Sequence, residues 1–128
     1  MEKTITIDGK EVRFRATAAL TRLYRFLHGG GDFLKDFHKL SMAYDRISAS
    51  SSDDRTDEER MFSVMELELF ENLAHAMAKH ADPEGVPSDP GIWLEQFAIF
   101  DIYDVFPELF DLLLANQQTT VQAKKKGT

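Results

Sequence analysis

Three sets of residues have types and spacing that suit chemistry. They are the run His28-Gly-Gly-Gly-Asp32, the histidines His28, His38, His75 and His80, and the carboxylates Glu66, Glu68 and Glu71. His-Gly-Gly-Gly serves lipases and esterases as part of an oxyanion hole, but that reaction also needs a nucleophile elbow, and the chain has no Gly-x-Ser-x-Gly. The run follows a helical pattern rather than a strand, so it reads as a helix C-cap passing into a turn. A phosphate loop fails too, because no Gly-Lys-Ser/Thr follows the glycines. The histidines form no His-x-x-x-His pair, and His75 and His80 turn away from each other on a helix, so partly exposed helix histidines are expected rather than metal ligands. The three glutamates fit the polar side of one long helix better than a general acid–base pair. Cysteine is absent, which excludes disulfides, thiolate zinc sites and thiol catalysis. The expectation is a non-enzymatic protein with no catalytic, cofactor or metal site.

The elements that would position these residues are mainly helical. "TITIDGKEVRFR" is a hairpin signal: Asp8-Gly9 supplies a type I′ turn, and Ile5, Ile7, Val12 and Phe14 share one face, with Ile5 opposite Val12. A first helix carries Leu20, Leu23, Tyr24 and Leu27, with Thr17 or Thr21 as its cap, and ends at Gly29. Asp32 caps a second, whose stripe is Phe33, Phe37, Leu40, Tyr44 and Ile47. "SASSSDDRTD" is a loop without an apolar anchor, closed by a capping box at Thr56-x-x-Glu59. The longest helix is expected from about Asp57 to Ala81, with Phe62, Met65, Leu69 and Leu73 in one stripe and Phe70, Ala74, Met77 and Ala81 in the next. So wide an apolar face marks a central helix. Asp82-Pro83 stops it, Asp89-Pro90 opens a short helix with Trp93, Leu94 and Phe97, and Asp101 caps the last. That last helix turns Ile102, Val105, Phe106, Leu109, Phe110 and Leu113 inward, with a kink or break at Pro107. Nothing after Asn116 has apolar surface to bury, so residues 116–128 are expected to be a disordered tail on a domain spanning 1–115. The predicted fold is a small domain of about five helices with an N-terminal hairpin.

Charge and composition narrow the function. With 128 residues, 43% of them hydrophobic, and ten phenylalanines, the chain has enough apolar material for one core. No run is apolar for the roughly 18 residues of a membrane helix, and "MEKTITIDGK" has no signal-peptide core, so a soluble intracellular protein is expected. Residues 1–40 hold eight Lys/Arg and five Asp/Glu, whereas residues 41–115 hold four and seventeen. An acidic middle of that size argues against nucleic acid as a partner. Trp93, Phe97, Phe100, Tyr103, Phe106 and Phe110 fall within eighteen residues. Most of this cluster is expected to be core. Any of Trp93, Phe97, Phe100, Tyr103 and Phe106 left exposed is a candidate for partner or self-association.

The segments "ITIDGKEVRFRATA" leading into "RLYR", then "FENLAHAMAKHADP", "WLEQFAIFDIYDVFPELFDLL" and "TTVQAKKK" resemble, in that order, the tail assembly chaperones of long-tailed phages and prophages of Gram-positive bacteria. The resemblance spans most of the chain, with 48–61 the least matched. One departure is Leu20-Thr21-Arg22, where such proteins often have Thr-Pro-Arg, so the first helix is expected to begin earlier, near Thr17. The resemblance implies a binding protein of the host bacterial cytoplasm. Such a protein coats the tape measure protein, keeps it soluble while tail tube protein assembles around it, and is absent from the mature virion. It also implies a second, longer product made by ribosomal slippage, for which Lys124, Lys125 and Lys126 mark the place of an adenine run; a solvated basic tail is the plain alternative. A small helical adaptor or regulatory domain of a bacterial host is the competing function.

Overall fold

The computed structural model describes residues 1–48 and 61–126, with side chains as far as Ala115. Two strands lead into five helices among these residues, a mainly α arrangement. The strands β1 (Glu2–Ile7) and β2 (Lys10–Arg15) pair antiparallel with Ile5 opposite Val12, the register the turn dictates. Asp8 and Gly9 adopt φ of 51° and 74°, the left-handed pair that a type I′ turn needs. Ile7 and Phe14 are buried, Ile5 and Val12 partly so. β2 packs on α3 and β1 on α5, so the third and last helices cover the hairpin.

Helix α1 (Leu20–Leu27) starts at Leu20 rather than near Thr17. Thr17 instead closes a preceding turn, accepting the Ala19 N–H on its hydroxyl (3.2 Å) and the Leu20 N–H on its carbonyl (3.0 Å). Gly29, at φ 64°, carries the chain out of the helix, and the Gly30 N–H returns to the Arg25 carbonyl at 2.9 Å. Asp32 accepts the Lys35 N–H at 3.1 Å and opens α2 (Phe33–Ser48). Phe33, Phe37, Leu40 and Ala43 of α2 are buried, with Tyr44 and Ile47 packed partly against the core.

Helix α3 (Val64–Ala81) begins seven positions later than the sequence reading places it. The chain carries the Ser/Thr-x-x-Glu signal twice, and the second copy is the one in use. Ser63 Oγ accepts the Glu66 N–H (3.1 Å) while Glu66 Oε1 accepts the Ser63 N–H (2.8 Å). Thr56 and Glu59, with the rest of 49–60, lie outside the described residues. β2, α1, α2, α4 and α5 all pack on α3, which is the spine of the domain. Its C-terminal half is buried all round, from Leu73 through Ala78 without interruption. Its N-terminal half is not: of the expected stripe, Leu69 is half-buried and Met65 is exposed.

The Asp82 carboxylate accepts the Gly85 N–H (3.0 Å), and Lys79 reaches the carbonyls of Pro83 and Val86, which shapes the turn to α4 (Pro90–Leu94). Asp89 caps α4 through the Gly91 N–H at 2.8 Å. Asp101 caps α5 (Ile102–Lys126) through the Tyr103 N–H at 2.9 Å. Helix α5 runs through Pro107 without a break. Proline here deprives only the Tyr103 carbonyl of its helical donor, and Tyr103 lies on the exposed side, within reach of water. Ile102, Val105, Phe106, Leu109, Leu112 and Leu113 seal the core. The α5 backbone stays helical past Asn116, where apolar side chains run out but Gln, Ala and Lys keep good helix propensity. The side chains from Asn116 on, Lys124, Lys125 and Lys126 among them, lie outside the described residues.

Candidate functional site

The aromatic residues between Trp93 and Phe110 are spent largely on the interior. Trp93 is buried, edge-on to Phe14, His75, Phe97 and Phe100 with ring centroids 5.4–6.5 Å apart. Phe106 is buried among Tyr44, Phe62, Phe70 and Phe110. Phe97 is buried as well, and Phe100 lies half-buried, stacked on Phe70 at 5.2 Å. Of the five candidates for association only Tyr103 is exposed, its ring resting against Phe62 at 5.4 Å. Edge-to-face and stacked geometries like these stabilise a core beyond simple burial.

Of the histidines, His75 differs from the sequence reading, whereas His28, His38 and His80 are at least partly exposed as expected. His75 is completely buried. Its Nε2–H donates to the Pro87 carbonyl at 2.7 Å, which leaves Nδ1 as an acceptor 3.4 Å from His28 Nε2. Spacing in the sequence hides this pair, because the two rings come from different helices. Burial lowers the affinity of both rings for protons, and the nearby His75 adds to the effect on His28, which drops to about 4. His80 meets the Thr17 hydroxyl at 2.7 Å, and His38 is exposed. Beside them, Tyr24 donates its hydroxyl to Asp36 at 2.6 Å, and burial with that carboxylate pushes the phenol well above its ordinary range. Among the described residues no three His, Cys, Asp or Glu side chains gather where they could hold a metal.

A groove of about 670 Å³ lies between α2 and the first half of α3. One wall is Lys39, Met42, Ala43 and Arg46 of α2; the other includes Met65, Glu68, Leu69 and Asn72 of α3. Each wall repeats at three, four and seven residues, so each is one face of its helix. Met42 is 60% exposed and Met65 74% exposed, and Val64 (81%) and Met61 (55%) extend the apolar surface past the groove's end. That end is fastened. Arg46 donates to both oxygens of Glu66 (3.1 and 3.3 Å) and to the Met61 carbonyl (3.0 Å), tying the last turn of α2 to the cap of α3. Burial alone would raise Glu66, but Arg46 and Ser63 outweigh it and hold the carboxyl below its usual range. On the far side of α3 a second depression of about 460 Å³ is lined by Val64, Leu67, Glu68, Pro90 and Leu94, among others. The first half of α3 is therefore a ridge with a groove on each flank. The sequence signal for it is faint: Met42 and Met65 sit one position off the buried stripes, and periodicity alone assigns Met65 to the core.

Methionine adapts its shape to irregular apolar partners, and a groove flanked by two helices is the seat an amphipathic helix needs. No helix among the described residues is long and apolar enough to cross a membrane. Compared with known proteins, the chain matches no family model, and neither a curated protein nor a solved structure is similar to it.

Proposed function

We propose that this chain is a tail assembly chaperone of a long-tailed phage or prophage, binding the tape measure protein and helping to recruit tail tube protein. The observation that carries the reading is the methionine-lined groove between α2 and α3, open and apolar on a domain whose aromatic cluster of Trp93, Phe97 and Phe106 is buried. A tape measure exposes long apolar helical surface until the tube encloses it, and a groove that accepts one helix at a time covers such surface in repeated steps. The excess of acidic residues keeps the coated complex soluble. The role is binding without a chemical step, it is performed in the host cytoplasm, and the protein leaves before the virion is complete. Slippage at Lys124-Lys125-Lys126 adds a longer product whose extension meets tube protein.

Co-expression with the tape measure protein encoded beside it tests the reading. The chaperone should copurify with the tape measure and hold it in solution. A tape measure that precipitates equally with and without this chain would refute the role.

A further inference from the structure

We infer that the groove accepts a helix of one particular charge pattern: an apolar stripe with Lys or Arg along one flank and Asp or Glu along the other. The inference rests on the groove reading above and deepens it. Lys39 of α2 and Glu68 of α3 line opposite walls of the groove, whose lining also includes the apolar Met42, Ala43, Met65 and Leu69. Among the described residues neither Lys39 nor Glu68 has an ion-pair partner, whereas Arg46 and Glu66 at the fastened end are joined to each other. Glu71, which lines the depression on the other flank of α3, adds to the negative charge around Glu68, and its own carboxyl is raised by burial and by that neighbour's charge. The walls are thus opposite in sign and unneutralised. A seated helix gains on both edges only when its own flanks are opposite too, and it loses on one edge when they match. Because reversing a helix exchanges its flanks, the same walls also fix the direction in which it lies.

Three helical peptides with one leucine stripe and different flanks test this with the full-length chain at low salt: Lys/Glu, Lys/Lys and Glu/Glu. The Lys/Glu peptide should bind about threefold to tenfold more tightly than either of the others, the scale of two exposed ion pairs. The preference should vanish in K39Q/E68Q and fade in high salt. Equal binding of all three peptides, or a preference that survives in K39Q/E68Q, overturns the inference. If that equal binding is still abolished by M42K/M65K, the groove reading stands and only the charge pattern falls. Binding that ignores M42K/M65K, or no binding by any peptide, overturns both.

Discussion

His75 sits in the interior with its Nε2–H committed to the Pro87 carbonyl and its Nδ1 turned to His28, so a proton on either ring has to displace an existing arrangement. Asn72 and Lys79 of α3, Asp89 before α4 and the rings of Tyr24 and Trp93 complete the surroundings. Unfolded histidines titrate near about 6.5, and both folded rings titrate lower, so between about pH 6.5 and about 4 the unfolded chain binds more protons. Stability is therefore complete above about pH 6.5 and is lost as the pH falls through that window. Melting temperature followed from about pH 7 to about pH 5.5, above the carboxylate range, should fall in the wild type. The fall should be clearly shallower in H28Q/H75Q. An unchanged slope in that variant would remove the pair from the account. Nothing in the sequence pointed to these two residues as partners: their separation reflects the fold's return of α3 beneath α1, not any local spacing.

At the scale of elements, the α3 cap is the most exposed to test. Ser63→Ala removes the hydroxyl that receives the Glu66 N–H and should cost about 1 kcal/mol in denaturant unfolding. Leu73→Ala, in the enclosed half of α3, should cost about 2–5 kcal/mol, and Leu69→Ala, on the groove wall, clearly less. Equal costs for the two leucines would mean that the groove is filled in the folded monomer. The hairpin register, the Asp32, Asp89 and Asp101 caps and the inward faces of α2 and α5 were legible because each rests on a local rule: a turn that demands positive φ, a side chain that reaches a free N–H, a stripe of period 3.6. The start of α3 was not, since two capping signals compete and only packing chooses between them. Nor was the exposure of Met65, because periodicity tells which residues share a face and not whether another helix arrives to cover it.

For the whole molecule the proposed role depends on the contrast between a closed aromatic core and the open apolar groove between α2 and α3. Trp93, Phe97 and Phe106, candidates for association only if left exposed, are buried and serve the core, and substituting them should unfold the domain before it affects any partner. Met42 and Met65 are the reverse case: both are exposed on the groove walls, so replacing them should spare the fold and weaken the proposed binding. The most direct measurement is the affinity of the full-length chain for an apolar helical segment of the tape measure protein, compared with that of M42K/M65K, alongside melting curves for both. The account predicts matched melting temperatures and an affinity at least about tenfold weaker for the variant, as expected when buried apolar anchors are replaced by charges. Matched melting temperatures with unchanged affinity would place the binding surface elsewhere and contradict the account.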